Sequence, residues 1–268
     1  MIVFPNAKIN IGLRVTGKRS DGFHELESVF YPINWKDVLE IQEADKFGFV
    51  LSGIDIPGDS SDNLCIKAYD IIKEGYDIPL VQIHLHKNIP IGAGMGGGSA
   101  DGAFMISALD ELFCLNISID KQMEMAGRMG SDCPFFLLNT PCFAKGAGDV
   151  LSPFDLSLKG LKVVLISPEI HIDTAWAYAQ ISPRKAEKDW QKALFGPVKE
   201  WKEITNDFEH TVFEKEPVIE KIKQELYQQG ALYSSMSGSG SSVFAIFDKD
   251  QKIDFVPFSK FHIYIHEE

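Results

Sequence analysis

The chain is poor in cysteine, in positive charge and in long apolar runs, and each shortage removes a class of protein. Four cysteines, at 65, 114, 133 and 142, make no Cys-x-x-Cys pair and no zinc-like spacing. They read as reduced, partly buried thiols rather than a disulfide framework. Lysine and arginine number 26 against 38 aspartates and glutamates, for a formal net charge of −12. That balance excludes a general nucleic-acid binder, which needs a basic footprint to neutralise phosphates. No apolar run approaches the about 18 residues that would span a bilayer. The opening Met-Ile-Val-Phe-Pro-Asn-Ala-Lys also lacks the basic region, apolar region and cleavage site of a secretory leader, so the expectation is a cytoplasmic protein without a membrane or nucleic-acid partner. The remainder is ordinary: 268 residues, 45% hydrophobic and 24% charged, suit one large or two modest globular domains.

Against this background one stretch is unusual. Pro90-Ile-Gly-Ala-Gly-Met-Gly-Gly-Gly-Ser-Ala-Asp-Gly carries glycines at 92, 94, 96, 97 and 98, leaving a backbone that can approach a ligand closely. Before it, Val81–Lys87 alternates apolar and polar residues as a strand does; after it, Ala103, Phe104, Ile106, Leu109, Leu112 and Phe113 recur at helical spacing. The unit is strand, glycine loop, helix, with Ser99 expected as N-cap, and a helix start of this kind is a phosphate site. A flexible linker would not run straight into an apolar helix. No lysine follows the glycines, so the loop is not a Walker loop. Residues 92–97 satisfy Gly-x-Gly-x-x-Gly, but the position about 20 residues on falls at 112–116, inside or just past the helix, which does not suit a dinucleotide fold.

The segment resembles the phosphate loop of the GHMP kinase superfamily, Pro-x-Gly-Ala-Gly-Leu-Gly-Gly-Gly-Ser-Ser, with Met95 and Ala100 as mild departures. The resemblance implies ATP contacts from Pro90, Gly92, Ala93, Gly94, Met95, Gly96, Gly97, Gly98, Ser99 and Ala100, with Ser99 helping to hold Mg2+. Pro5-Asn-Ala-Lys-Ile-Asn-Ile-Gly-Leu13 is an alternating strand with Lys8, Asn10 and Gly12 on one face. By periodicity alone that face is solvated as readily as functional, yet it is similar to the first GHMP motif, whose lysine approaches the reacting hydroxyl and the phosphoryl group. Ser131-Asp-Cys-Pro-Phe136 resembles the family's Gly-Ala/Ser-Asp-Val-Pro-Phe, which implies Asp132 as general base and Lys8 as its catalytic partner; read locally, Asp132 is a turn or cap residue between a helix and an apolar strand. Ser237, Gly238, Ser239 and Gly240 match the third motif, whose glycines cover phosphates and substrate, though alone they would be a hairpin turn.

Asp21-Gly-Phe-His-Glu-Leu26 narrows the resemblance to the branch of the family that phosphorylates a cytidine-diphosphate-linked methylerythritol. It implies that Phe23, where tyrosine is usual, stacks on the cytosine and that His24 bonds its edge; loss of the hydroxyl leaves the ring face intact. Asn10 joins them as a substrate contact, and Tyr178 is expected to close a sandwich with Phe23. Asn63, ahead of a helix over 65–75, is either a contact to ATP or a simple N-cap. Lys87 is expected to reach the ATP phosphates. His84 and His86 share a strand face, but with no third ligand nearby they do not read as a metal pair.

The fold implied is α+β: a ribosomal-protein-S5-like N-terminal ATP-binding domain over 1–158 and a ferredoxin-like C-terminal domain over 159–268. Further expectations are strands over 38–42, 47–51, 161–166 and 261–265, helices over Ile119–Met129, 174–181 and 217–230, and a polar stretch over 182–202. Asn206-Asp-Phe-Glu209 reads as structural. The expected partner is a small molecule bearing a cytidine diphosphate, the expected state a monomer or weak homodimer. Two alternatives stay open, another GHMP kinase of the mevalonate or homoserine type and a nucleotide-binding module without catalysis; the second would need neither Lys8 nor Asp132.

Overall fold

A computed structural model describes residues 1–185 and 189–267. The first elements are β1 (Ile2–Val3), β2 (Asn6–Lys18), β3 (His24–Lys36), β4 (Val38–Glu43) and β5 (Gly48–Gly53), then α1 (Leu64–Gly75) and β6 (Val81–Lys87). Three helices follow, α2 (Gly97–Leu112), α3 (Ile119–Met129) and α4 (Cys133–Leu138), then β7 (Cys142–Lys145), β8 (Val150–Pro153) and β9 (Leu161–Ser167). The chain continues through α5 (Thr174–Gln180), α6 (Glu209–Lys215), α7 (Pro217–Gln228), β10 (Tyr233–Met236), β11 (Val243–Asp248) and β12 (His262–Glu267). In the polar stretch 182–202, the described part holds two short 3-10 turns, Trp190–Phe195 and Val198–Glu203, while 186–188 lie outside the described residues. The architecture is α+β, as expected. Among the described residues no helix is long and apolar enough to cross a membrane.

These elements gather into two compact units, one of Met1–Ala7, Asn34–Ile91 and Gly96–Thr140, the other of Lys8–Ile33, Gly92–Met95 and Pro141–Glu268. This division does not follow the expected boundary at 158, because β2 and β3 join β7 and β8 in one sheet. The first unit holds the sheet β1-β4-β6-β5, in which β5 runs parallel to β6 and the other neighbours are antiparallel. Leu39, Ile41, Ile83 and Leu85 pack with Ala68 and Ile72 of α1, Met105, Ile106 and Leu109 of α2, and Met125 of α3. Burial of these side chains, at roughly 1.5–3 kcal/mol each, is the main force holding the helices on the sheet.

The second unit carries the sheet β2-β3-β7-β8 and a second sheet, β10-β11-β9-β12, antiparallel throughout. Counted from β9, the latter order is second, third, first, fourth, the ferredoxin-like arrangement. Val164, Ile166, Val243, Ala245 and Phe247 pack with Ile219, Ile222 and Leu226 of α7 and with Phe208 and Val212.

One local expectation fails. Residues 133–136 form the start of α4 rather than a strand. Four apolar residues cannot distinguish the two by periodicity, and Pro134 in the first turn has its φ preset for a helix.

Candidate active site

α2 begins at Gly97 with Gly96 as N-cap, at φ +70 in the left-handed region, and no side chain caps the first amides. Ser99 is therefore inside the first turn instead of capping it. A serine N-cap needs extended backbone, and the chain enters this helix through a left-handed glycine. The result favours an anion more than the expected cap would, because the amides of a helix start without a capping side chain are left for a ligand, with the positive dipole end behind them. The Ser99 hydroxyl hydrogen-bonds the buried Cys133 thiol, whose pKa burial pushes up to about 12 against that bond, so the thiol is inert.

In the second unit, three sequence motifs meet through hydrogen bonds. Lys8 and Asn10 are buried, Lys8 at 3% exposure, which excludes a solvated strand face. Lys8 Nζ donates to Asn10 Oδ1 and stands 4.6 Å from the centre of the Phe30 ring. The Lys8 amide donates to the Met95 carbonyl at 2.9 Å, which ties the first motif to the glycine loop. Asn10 donates through Nδ2 to Ser28 Oγ at 3.0 Å and through its amide to Ser237 Oγ at 3.3 Å. Ser237 Oγ in turn donates to the Gly94 carbonyl at 2.8 Å, and the Ser242 amide to that of Ala93 at 3.1 Å. Asn206, read as merely structural, is the brace of the third motif: its Nδ2 donates to the carbonyls of Met236 and Gly238 at 2.8 and 2.7 Å. A buried asparagine just ahead of a helix was the signal for it.

The aromatic residues differ from expectation. Tyr178 stacks on His24, with centroids 4.9 Å apart and planes at 24°, and meets Phe208 edge-on. Phe23 is 62% exposed, so in this structure it does not face Tyr178 as a sandwich. An imidazole two-thirds the size of a phenyl ring closes the space beside Tyr178 while the turn at 19–23, pinned by the Arg19–Asp21 pair, holds Phe23 outward.

In the first unit Asn63 is the N-cap of α1, its Oδ1 accepting from the Cys65 amide at 2.9 Å, so the capping alternative is realised and only its Nδ2 is left for a nucleotide. Asp132 occupies the N-cap position of α4 without a side-chain capping bond. Lys87 departs from expectation. It is 2% exposed and ion-paired with Asp37 and, at 2.7 Å, with Asp101. Burial alone would lower its ammonium, but the two carboxyls outweigh that and hold its pKa above the ordinary lysine value. A lysine so enclosed is a brace inside the unit, not an arm toward phosphates. His84 and His86 share a face as expected, both within 2.9 Å of Ser52 Oγ. Among the described residues no group of three or more His, Cys, Asp or Glu side chains is placed to hold a metal.

Residues 63–140 match the model of the GHMP kinases N-terminal domain, and residues 191–257 that of the GHMP kinases C-terminal domain. Over 258 residues the chain is 49% identical to a 4-diphosphocytidyl-2-C-methyl-D-erythritol kinase of Bacteroides fragilis, covering 94% of each chain. A protein of that name from Chlorobium limicola is 40% identical over 92% of this chain and 88% of its own. Among solved structures, a 4-(cytidine 5'-diphospho)-2C-methyl-D-erythritol kinase superposes with a TM-score of 0.78 at 29% identity, over 91% of this chain and 89% of that one. A mevalonate kinase matches with a TM-score of 0.74 at 14% identity over both whole chains, a likeness of fold alone. The chain belongs to the GHMP kinases and, within them, to the family of 4-diphosphocytidyl-2-C-methyl-D-erythritol kinases.

Proposed function

We infer that the chain is an ATP-dependent kinase that transfers the γ-phosphoryl group to the 2-hydroxyl of 4-diphosphocytidyl-2-C-methyl-D-erythritol, giving the 2-phosphate and ADP in the non-mevalonate route to isoprenoids. The observation that carries the chemistry is the hydrogen-bonded convergence of Lys8 and Asn10, the loop 92–95 and Ser237 in one unit. Phosphoryl transfer asks for positioning and for positive charge at the transferred group's oxygens. Lys8, held by Asn10 under the Phe30 ring, supplies a fixed cation; the uncapped amides of Gly97, Gly98 and Ser99 supply donors. Asp132 takes the hydroxyl proton. The ATP-binding and substrate-binding domains of the reading are 1–158 and 159–268.

The donor set suits magnesium. A hard ion that binds mainly through nucleotide phosphates needs one or two protein oxygens rather than a cage, and Ser99 in the first turn of α2 offers a hydroxyl. When bound, the ion would neutralise charge on the phosphates.

Phe23 and Tyr178 are the proposed faces for the cytosine, with His24 moving off Tyr178 to bond the base edge. Released ADP, measured with the cytidyl alcohol, mevalonate and homoserine offered separately, tests the whole reading: turnover is expected with the first alone. Equal turnover with mevalonate or homoserine would place the chain in another branch, and none with any would leave a binding module. In the same assay Phe23→Ala and His24→Ala are expected to raise KM for the cytidyl substrate by about tenfold, the size of one lost base stack, with KM for ATP unchanged. An unchanged KM for the alcohol would remove the pyrimidine site from this loop.

A further inference from the structure

Next to the helix start that follows the glycines lies a cluster of buried charge that the reaction above does not use. Lys87, at the end of β6, donates to Asp37 Oδ2 and to Asp101 Oδ2, and the three side chains are exposed by 2% or less. Its ammonium abuts Gly97, the first residue of α2: a Cβ built there would lie 3.3 Å from Nζ. Asp37 Oδ1 accepts from the amides of Asn88 and Ile89, at 2.6 and 2.9 Å, the two residues that lead from β6 toward the loop. The cluster thus grips the segment on its way in, through Asp37, and the helix on its way out, through Asp101.

One ammonium cannot compensate two buried carboxylates, and an uncompensated charge at this depth is strongly unfavourable. The hydrogen bonds show which acid keeps its proton. Asp37 has three donors aimed at its two oxygens and is the anion that pairs with Lys87. Asp101 has the one bond from Lys87, and its Oδ1 is buried without a hydrogen-bond partner among the described residues. Burial moves the Asp101 pKa up to about 8, against the pull of Lys87 and with a push from Asp37. The other titratable group that couples to the cluster is Cys65 of α1, whose thiol burial raises well above its usual value and so keeps neutral.

We propose that Asp37, Lys87 and Asp101 form a positioning triad for the phosphate loop, in which Lys87 and Asp37 neutralise each other while Asp101 remains an uncharged acid, so that ATP meets no buried negative charge beside the start of α2. The proposal rests on residues 90–100 being the ATP phosphate loop. Its sign is definite. As pH rises through the Asp101 pKa, the acid loses its proton, the cluster gains a full negative charge, and a polyphosphate nearby is repelled.

The test compares wild type with Asp101→Asn, which keeps the shape and cannot ionise. KM for ATP is measured from pH 7 to 9.5 at saturating cytidyl alcohol, and ADP binding over the same range by calorimetry. In wild type both constants should rise by about tenfold with a midpoint near 8. In Asp101→Asn both should stay at the low-pH value, with kcat at pH 7 unchanged, so the variant binds nucleotide more tightly than wild type at pH 9.5. A structural brace would not produce that gain. The same rise in the variant, or a flat wild-type profile, overturns the triad. If the variant melts far below wild type, the wild-type ADP profile alone decides, a flat one being fatal. Absence of nucleotide binding at pH 7 would instead count against the loop reading itself.

Discussion

Asp132→Asn is expected to lower kcat by about a thousandfold, inside the roughly 10²- to 10⁴-fold contribution of a positioned general base, while ADP binding and the fold persist. The asymmetry follows from where the residue stands. Asp132 is the N-cap of α4 by position, but its carboxylate makes no capping hydrogen bond, so the helix does not depend on that oxygen. Exchange of one oxygen for an amide nitrogen preserves volume and removes only the capacity to accept a proton. Lys8→Met should reduce kcat to a similar degree, since it removes a buried cation held by Asn10 over the Phe30 ring. If both residues serve one transition state, the double variant should be scarcely worse than either single one, because groups acting as a unit are far from additive. Single-turnover measurements with saturating ATP would separate the chemical step from product release. Turnover within a few-fold of wild type in Asp132→Asn would remove the residue from the proton transfer.

What could be read before folding was what is encoded locally. α3 was expected over Ile119–Met129 and lies there, because Ser118 caps its first turn through the Lys121 amide and Gly130 ends it. The glycine loop was legible for the same reason: its strand, turn and helix are consecutive. Burial of Lys8 and Asn10 was not legible, since alternation along β2 shows two faces and cannot show that both are covered. The environment of Lys87 was hidden by distance along the chain, as its partners lie 50 and 14 positions away. Asp101 did carry a sign. It is an acid between Ala100 and Gly102 on a helix whose neighbours are buried, where an unpaired carboxyl would not survive. Asp37, in a turn between Lys36 and Val38, carried none. The pairing of Tyr178 with His24 rather than Phe23 depends on the outward set of a short loop, which adjacent aromatic letters cannot specify.

Gly94→Ala should be the costliest addition of one methyl group to the loop, and the reason is backbone, not ligand. Gly94 sits at φ +76, where an L side chain is strained by about 1–3 kcal/mol. A Cβ there would lie 2.0 Å from the Ser237 carbonyl oxygen and 3.0 Å from that of Gly240, both main-chain atoms that no rotamer change can move. Relief requires the loop 92–95 and the segment 237–240 to separate, which breaks the bonds from Ser237 Oγ to the Gly94 carbonyl and from the Ser242 amide to the Ala93 carbonyl. Each is worth about 1 kcal/mol. A loss of roughly 3 kcal/mol or more is expected, lowering the melting temperature by about 6–12 °C, with kcat/KM down at least about a hundredfold because a 1 Å misplacement of reacting groups has that effect. Gly98→Ala is the control. Nothing lies within 4 Å of its Cβ and its φ is not positive, so the same methyl group in the same loop should leave the melting temperature within about 2 °C. Equal melting of the two variants would mean that the two glycine segments do not touch in solution, and the convergence of motifs on which the kinase reading stands would go with it.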